Sequence, residues 1–361
     1  MKRKFCIFCG ENPVDKNKEH IVPQWLIKMT GKPNRKTIIG TDSKGEKLNI
    51  PWSKFVFPSC ETCNTEFGIV ENKVKIIVTK LLNEEPVSHN QMDLFLDWLD
   101  KIRTGLWLGQ LVHKKIDLDP HFYINRRVGE KDRICLMYKF DDNENGIGMT
   151  GTEFPIFHLI PSCFSFTINN FCFFSYSKEY IISQSFGFPF PSKFMFYDDG
   201  RMGVEEFNNG SAKVADLMLE GTILKPTIRF YQTITTGEHQ LKKPKIGHKA
   251  KFYKENCHLF SKDKIKSRIY VVNGYVGKIG FWEKNEKHEF SGQQEVNRNL
   301  LESFVAKMVL EHQVMSARHN MEHYPKETKE GFEELIKTNQ YILEKIDEPL
   351  KKLVPHYYKE K

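Results

Sequence analysis

Cys6-Ile7-Phe8-Cys9, then Glu19-His20-Ile21-Val22-Pro23, then Cys60-Glu61-Thr62-Cys63-Asn64: these three short stretches decide how the first fifth of the chain folds. Each cysteine pair has the C-x2-C spacing with which a tight turn aims two thiolates at one point. Two such pairs supply the four ligands of a tetrahedral zinc ion, and a site filled by four thiolates keeps no open position for chemistry. Cys6, Cys9, Cys60 and Cys63 are therefore expected to hold a structural Zn²⁺ that ties together two distant chain segments. Glu19 and His20 lie between the pairs, so the cage would hold a histidine rigidly beside an acid.

The remaining cysteines do not extend this pattern. Cys135, Cys163, Cys172 and Cys257 stand singly, three of them in apolar runs, and read as small core residues. Eight cysteines in 361 residues do not make a disulfide scaffold, and C-x2-C pairs in a reducing compartment point to zinc. The length gives room for two or three domains. With 40% hydrophobic and 28% charged residues the composition is that of a globular chain. The longest apolar runs, such as Phe171-Cys172-Phe173-Phe174, are too short to span a bilayer. Met1-Lys2-Arg3-Lys4-Phe5 has the charges of a signal peptide without the apolar stretch that must follow, so a cytoplasmic location is expected and no membrane partner.

The net charge of +8 is uneven. Residues 1–75 carry 14 Lys/Arg against 8 Asp/Glu, and residues 242–287 carry 13 against 4, leaving the remainder acidic. Clustered positive potential favours a polyanionic partner. Solvated lysine faces are the plain alternative for the second stretch.

Along the chain, two extended runs between Thr37 and Ile50 flank Asp42-Ser43-Lys44-Gly45, which reads as a hairpin turn. Phe67, Val70, Val74, Ile77 and Leu81 recur at helical spacing, with Gly68 a weak point. A second helix is expected from Met92 to Leu111, striped by Leu94, Trp98, Ile102 and Leu106 and capped by Asn90. From His121 to Trp282 aromatic and β-branched runs, beginning at Phe122-Tyr123-Ile124, predict a mostly antiparallel β region with one helix-like insert, Ala212 to Leu219. Gly146-x-Gly148-x-x-Gly151 fits a dinucleotide fingerprint by letter, but no helix follows it, so it reads as a turn. The last seventy residues are helical, striped by Leu300, Leu301, Phe304, Val305, Met308 and Val309 and then by Phe332, Leu335 and Ile336. His319 and His323 stand four apart and read as surface residues. The fold class is α+β: residues 1–75 a small zinc-stabilised domain, 76–115 a helical connector, 116–290 a β-rich domain for recognition or regulation, and 291–361 a helical end.

The first 75 residues resemble the HNH endonucleases, also called ββα-metal or His-Me finger nucleases. The likeness rests on Cys6-x2-Cys9, Glu19-His20-Ile21-Val22-Pro23 and Cys60-x2-Cys63-Asn64, followed by Phe67-Gly68 and Glu71. It implies that His20 is the general base for the water attacking a phosphodiester. It implies that Glu19, where the family usually has Asp, is a ligand of a catalytic Mg²⁺ or Mn²⁺, and that Asn64 is the second protein ligand or orients it. Glu71, seven residues after Asn64 on the same helix face, is either a group supporting that ion or a solvated acid. The family's middle Asn has only Asn49 as a nearby counterpart. The resemblance implies cleavage of double-stranded DNA, in the manner of a restriction or anti-phage effector. An RNase and a non-catalytic zinc-finger nucleic-acid-binding module stand as alternatives. An activating ligand, a partner protein and homo-oligomerisation are left open.

Overall fold

The structure, a computed structural model, describes residues 5–14, 17–41, 47–113, 120, 122–177, 190–196, 202–208, 224, 226, 228–234, 269–273, 280–281, 287–288, 295–321 and 326–355. The Asp42–Gly45 turn, the insert at 212–219, Cys257, His323 and most of the basic stretch 242–287 lie outside these residues.

The architecture is mixed α/β. Strand β1 (Lys18–His20) is followed by helix α1 (Gln24–Met29), the antiparallel pair β2 (Lys36–Thr41) and β3 (Lys47–Pro51), then β4 (Val56–Pro58) and helix α2 (Glu61–Leu82). Strand β5 (Val87–Ser88) leads into helix α3 (His89–His113), and helix α4 (Ile124–Glu130) precedes the sheet. Its strands are β6 (Lys131–Phe140), β7 (Ile147–Thr150), β8 (Cys163–Ile168), β9 (Phe171–Ser177), β12 (Ile228–Ile234), β13 (Ile269–Asn273), β14 (Gly280–Phe281) and β16 (Glu295–Val296). The pair β10 (Phe190–Phe196) and β11 (Met202–Asn208) stands apart, and β15 (Lys287–His288) pairs with β5. Helices α5 (Arg298–Met321) and α6 (Lys326–Leu353) end the described chain. No described helix is long and apolar enough to cross a membrane.

Among the described residues the sheet has eight strands in the order β14-β13-β12-β6-β9-β8-β7, all antiparallel, with β16 pairing parallel to the end of β6. Its side chains obey the period of two that a pleated strand imposes. Cys135, Met137, Phe164, Phe166, Phe171, Phe173 and Phe230 turn to the face covered by α3 and the N-terminal segments. Ile134, Leu136, Tyr138, Cys163, Cys172, Phe174 and Tyr176 turn to the face covered by α5 and α6. Each buried Phe contributes about 1.5–3 kcal/mol, so both faces are held firmly. The expected boundary at residue 75 falls inside α2, and one continuous core joins the cysteine region to the sheet through α3.

Several local expectations need correction. The cap of α3 is Ser88, not Asn90. Ser88 Oγ accepts from the Gln91 N–H at 3.4 Å while Gln91 Oε1 accepts from the Ser88 N–H at 2.9 Å, a reciprocal pair that extends the helix past Met92. Phe122 and Tyr123 lead into helix α4 rather than a strand. The first amides of that helix, Ile124 and Asn125, donate to the carbonyls of Ile7 and Phe8, which satisfies helix donors that would otherwise lack partners. The Gly146–Gly151 segment is not a turn but mainly strand β7, with Gly148 opposite Thr167. Gly151 has φ +102°, and a Cβ there would lie 2.3 Å from Val309 of α5, so only glycine fits.

Between α3 and the sheet lies a buried ion network. Arg133 on β6 meets Asp93 at 3.1 Å, Asp97 at 2.7 Å and Asp100 at 3.0 Å, and Asp100 also meets Arg103 at 2.5 Å. Burial alone would raise the Asp100 carboxyl, but Arg103, Arg127 and Arg133 more than reverse this and hold it well below its ordinary value of 3.8. A depressed carboxylate stabilises the fold above its unfolded pKa and loses that contribution as pH falls. Asp100→Asn should therefore cost about 3–5 kcal/mol in urea denaturation at pH 7, because two buried guanidinium groups lose their shared counter-charge. The variant should also lose less further stability than the wild type as pH drops below about 4.

Candidate functional site

The first cysteine knuckle is shaped by backbone bonds. The Gly10 N–H donates to Cys6 O at 2.8 Å and Gly10 takes φ +83°, a left-handed turn that leaves no room for a Cβ against the Tyr123 ring. The second knuckle is the start of α2. The Ile7 N–H donates to Pro58 O and the Cys60 N–H donates to Cys6 Sγ at 3.2 Å, so the two knuckles dock face to face. The Sγ atoms of Cys6, Cys9, Cys60 and Cys63 all lie within 4.8 Å of one another, with Cys9 and Cys60 at 3.8 Å. A tetrahedron with Zn–S bonds of about 2.3 Å has S···S edges of about 3.8 Å. Burial, followed by hydrogen bonds and repulsion from Cys6 and Cys9, pushes Cys60 and Cys63 up to about 12. Cys6 moves the other way: three backbone N–H groups outweigh its burial. A cluster of thiols so placed can hold a metal such as zinc, and its donor set fits that ion.

Beside the cage, β1 pairs antiparallel with β4, Glu19 opposite Phe57 and His20 opposite Val56. Alternation along β1 turns Glu19 inward and leaves His20 half-buried. Helix α3 crosses this pair closely because it presents Gly105 and Gly109. A Cβ at Gly105 would lie 3.0 Å from Ile21, and one at Gly109 would lie 2.7 Å from the Phe57 ring.

That approach brings Lys101 into the site. Its Nζ, with no solvent exposure, lies 2.6 Å from Glu19 Oε1 and 2.7 Å from Glu71 Oε1, and donates also to the carbonyls of His20 at 3.1 Å and Ile21 at 2.9 Å. Burial by itself would lower the Lys101 pKa, but the two carboxylates raise it overall, so the side chain is an ammonium. Burial, opposed by Lys101 and reinforced by Glu19, raises Glu71. Glu71 is thus a partnered acid, not a solvated one.

His20 Nε2 lies 2.8 Å from Gln24 Nε2. With that amide donating, Nε2 is the lone-pair nitrogen and the ring proton belongs on Nδ1, which is buried with no hydrogen-bond partner among the described residues. Burial first, and then Lys101, lowers the His20 pKa against the pull of Glu19, so the ring is neutral at pH 7. Asn64 Nδ2 donates to Asn17 Oδ1 at 3.1 Å and tacks the start of α2 to the start of β1. Asn49 lies exposed on β3 opposite Ile38. His319 sits in the last turn of α5, far along the chain from this site.

The structure thus gathers the four cysteines at one point and Glu19 with Glu71 at another. The resemblance implies a divalent ion on Glu19 and Asn64, but Glu19 Oε1 is already given to the Lys101 ammonium, as is Glu71 Oε1, so an ion at either carboxylate would sit beside that positive charge. A cavity of about 360 Å³ opens elsewhere, between the end of α2 and the turns flanking β7 and β9. It is lined by Met29, Leu82 and asparagine amides such as Asn83, Asn143, Asn169 and Asn170, and includes neither Glu19 nor His20.

Lys101 is the residue that the linear pattern hid. It lies seven residues after Leu94 and three after Trp98, on the apolar stripe of α3. A lysine on such a stripe is fully buried only when paired, so it announces a carboxylate partner. Comparison of the chain with protein-family models, with curated proteins and with solved structures finds no match.

Metal analysis checks the cage. The purified protein should carry one zinc per chain by atomic absorption. Cys63→Ser should lose most of it, whereas Cys135→Ser, at a buried strand position, should leave it in place.

Proposed function

We propose that the chain is a DNA phosphodiester hydrolase of the HNH type, in which His20 is the general base. The observation that carries this reading is the state of His20. Its pKa is lowered by burial, and its Nε2 meets the exposed Gln24 side chain at the end of a short strand pair that leads through a four-cysteine cluster into a helix. A two-strand-and-helix unit of this kind is what the sequence resemblance implies. With the exposed Gln24 amide swung off Nε2, a water could take its place there and give up its proton as its oxygen attacks phosphorus. The exposed Lys18, Lys28, Lys32 and Lys36 around β1 and α1 would carry the flanking phosphates. The sheet and the terminal helices would serve recognition or control.

A second reading is a zinc-stabilised module that binds nucleic acid without cutting it, and the lock of Lys101 on Glu19 favours it. The two separate on one variant. For the hydrolase, His20→Ala should reduce plasmid nicking by about 10²–10⁴-fold while salt-dependent DNA binding stays unchanged, since a positioned base supplies about that factor. Binding with no cleavage of DNA or RNA by the zinc-loaded wild type, under every divalent ion tried, would leave the binding module standing. Cleavage of RNA alone would redirect the reading to an RNase.

A further inference from the structure

We infer that Lys101 is the resident cation of the Glu19–Glu71 pair, and that its ammonium excludes divalent metal ions from those carboxylates. The inference deepens the proposed function and takes from it only the assignment of Glu19 as the expected ligand. If both hold, hydrolysis at His20 proceeds with no divalent ion on Glu19.

The surroundings of Lys101 Nζ are those of a small cation site. Two carboxylate oxygens and two backbone carbonyls, all between 2.6 and 3.1 Å, form an all-oxygen shell of the sort that hard cations take. The occupant is the Lys101 ammonium, at distances typical of charge-assisted N–H···O bonds. Its stem is enclosed along its length. Lys101 lies on a helix pressed against β1 and β4 through Gly105 and Gly109, with the side chain wholly enclosed. A divalent ion on either carboxylate would therefore sit beside a fixed positive charge, and no other described side chain in that shell offers compensation.

Lys101→Met keeps the length of the stem and removes the charge, which should turn the shell into a vacant oxygen site. The test is Mn²⁺ titration of the zinc-loaded full chain, followed by electron paramagnetic resonance of free Mn²⁺. The cysteine cage keeps its zinc because thiolates prefer it to manganese. The wild type and Glu19→Gln should give the same isotherm. Lys101→Met, with zinc content and circular dichroism like the wild type, should gain one Mn²⁺ site, which Glu19→Gln in the same chain abolishes. A Mn²⁺ site in the wild type that disappears in Glu19→Gln overturns the inference, and that comparison stands even if Lys101→Met does not fold. A folded Lys101→Met that gains no site overturns it too. Because the readout is metal bound and not DNA cut, an inactive protein sinks the hydrolase reading and leaves the Mn²⁺ result to decide this one.

Discussion

Helix α3 carries charge into the protein interior on both of its sides. Asp100 turns to Arg103 and Arg133 at the sheet, while Lys101, the next residue, turns to Glu19 and Glu71 at the cysteine region. An unpaired charge in such a place costs several kcal/mol, so each pairing must be met before the helix can sit down at all. The two halves of the molecule are thereby fixed to one beam. The apolar residues of α3, among them Phe95, Trp98, Ile102 and Trp107, supply most of the attraction, and the charges decide the register.

The same beam accounts for the state of the histidine. Lys101 holds the carbonyl of His20 and that of Ile21, so the backbone of the strand end is gripped from α3, while Gln24 meets the ring from α1. Glu19 is spent on the lysine and is nearly buried. What faces outward from the dipeptide is the imidazole alone.

Much of the fold is legible in the residue pattern because it rests on periodicity. Phe67, Val70, Val74, Ile77 and Leu81 place α2, and the alternation of Phe164, Phe166, Phe171 and Phe173 with their neighbours places β8 and β9. The four cysteines are legible for another reason, since C-x2-C spacing is itself a geometric statement. What stays hidden depends on contacts between segments far apart. Lys101 and Glu19 are 82 residues apart, and nothing local to either tells which charge it will meet. Gly148 looks like turn chemistry yet lies in an edge strand beside Thr167, because the sheet and not the glycine sets the backbone there. Phe122 and Tyr123 look like a strand yet precede α4, whose first amides are answered by Ile7 and Phe8 from the other end of the sequence.

The three-residue pairing of β1 with β4 has a consequence for chain entropy. So short a ladder cannot close a long loop by itself, and Cys9 and Cys60 are 51 residues apart. Bringing such ends together costs about 3–4 kcal/mol by the logarithmic loop term, whereas four-ligand zinc binding in small domains is worth about 10–16 kcal/mol. A metal in the cage would therefore more than offset the closure of that loop, and the short strands would pair with their ends already held together. Stripping the metal would loosen that knot while the sheet, whose strands are longer and whose faces are both covered, kept its own shape.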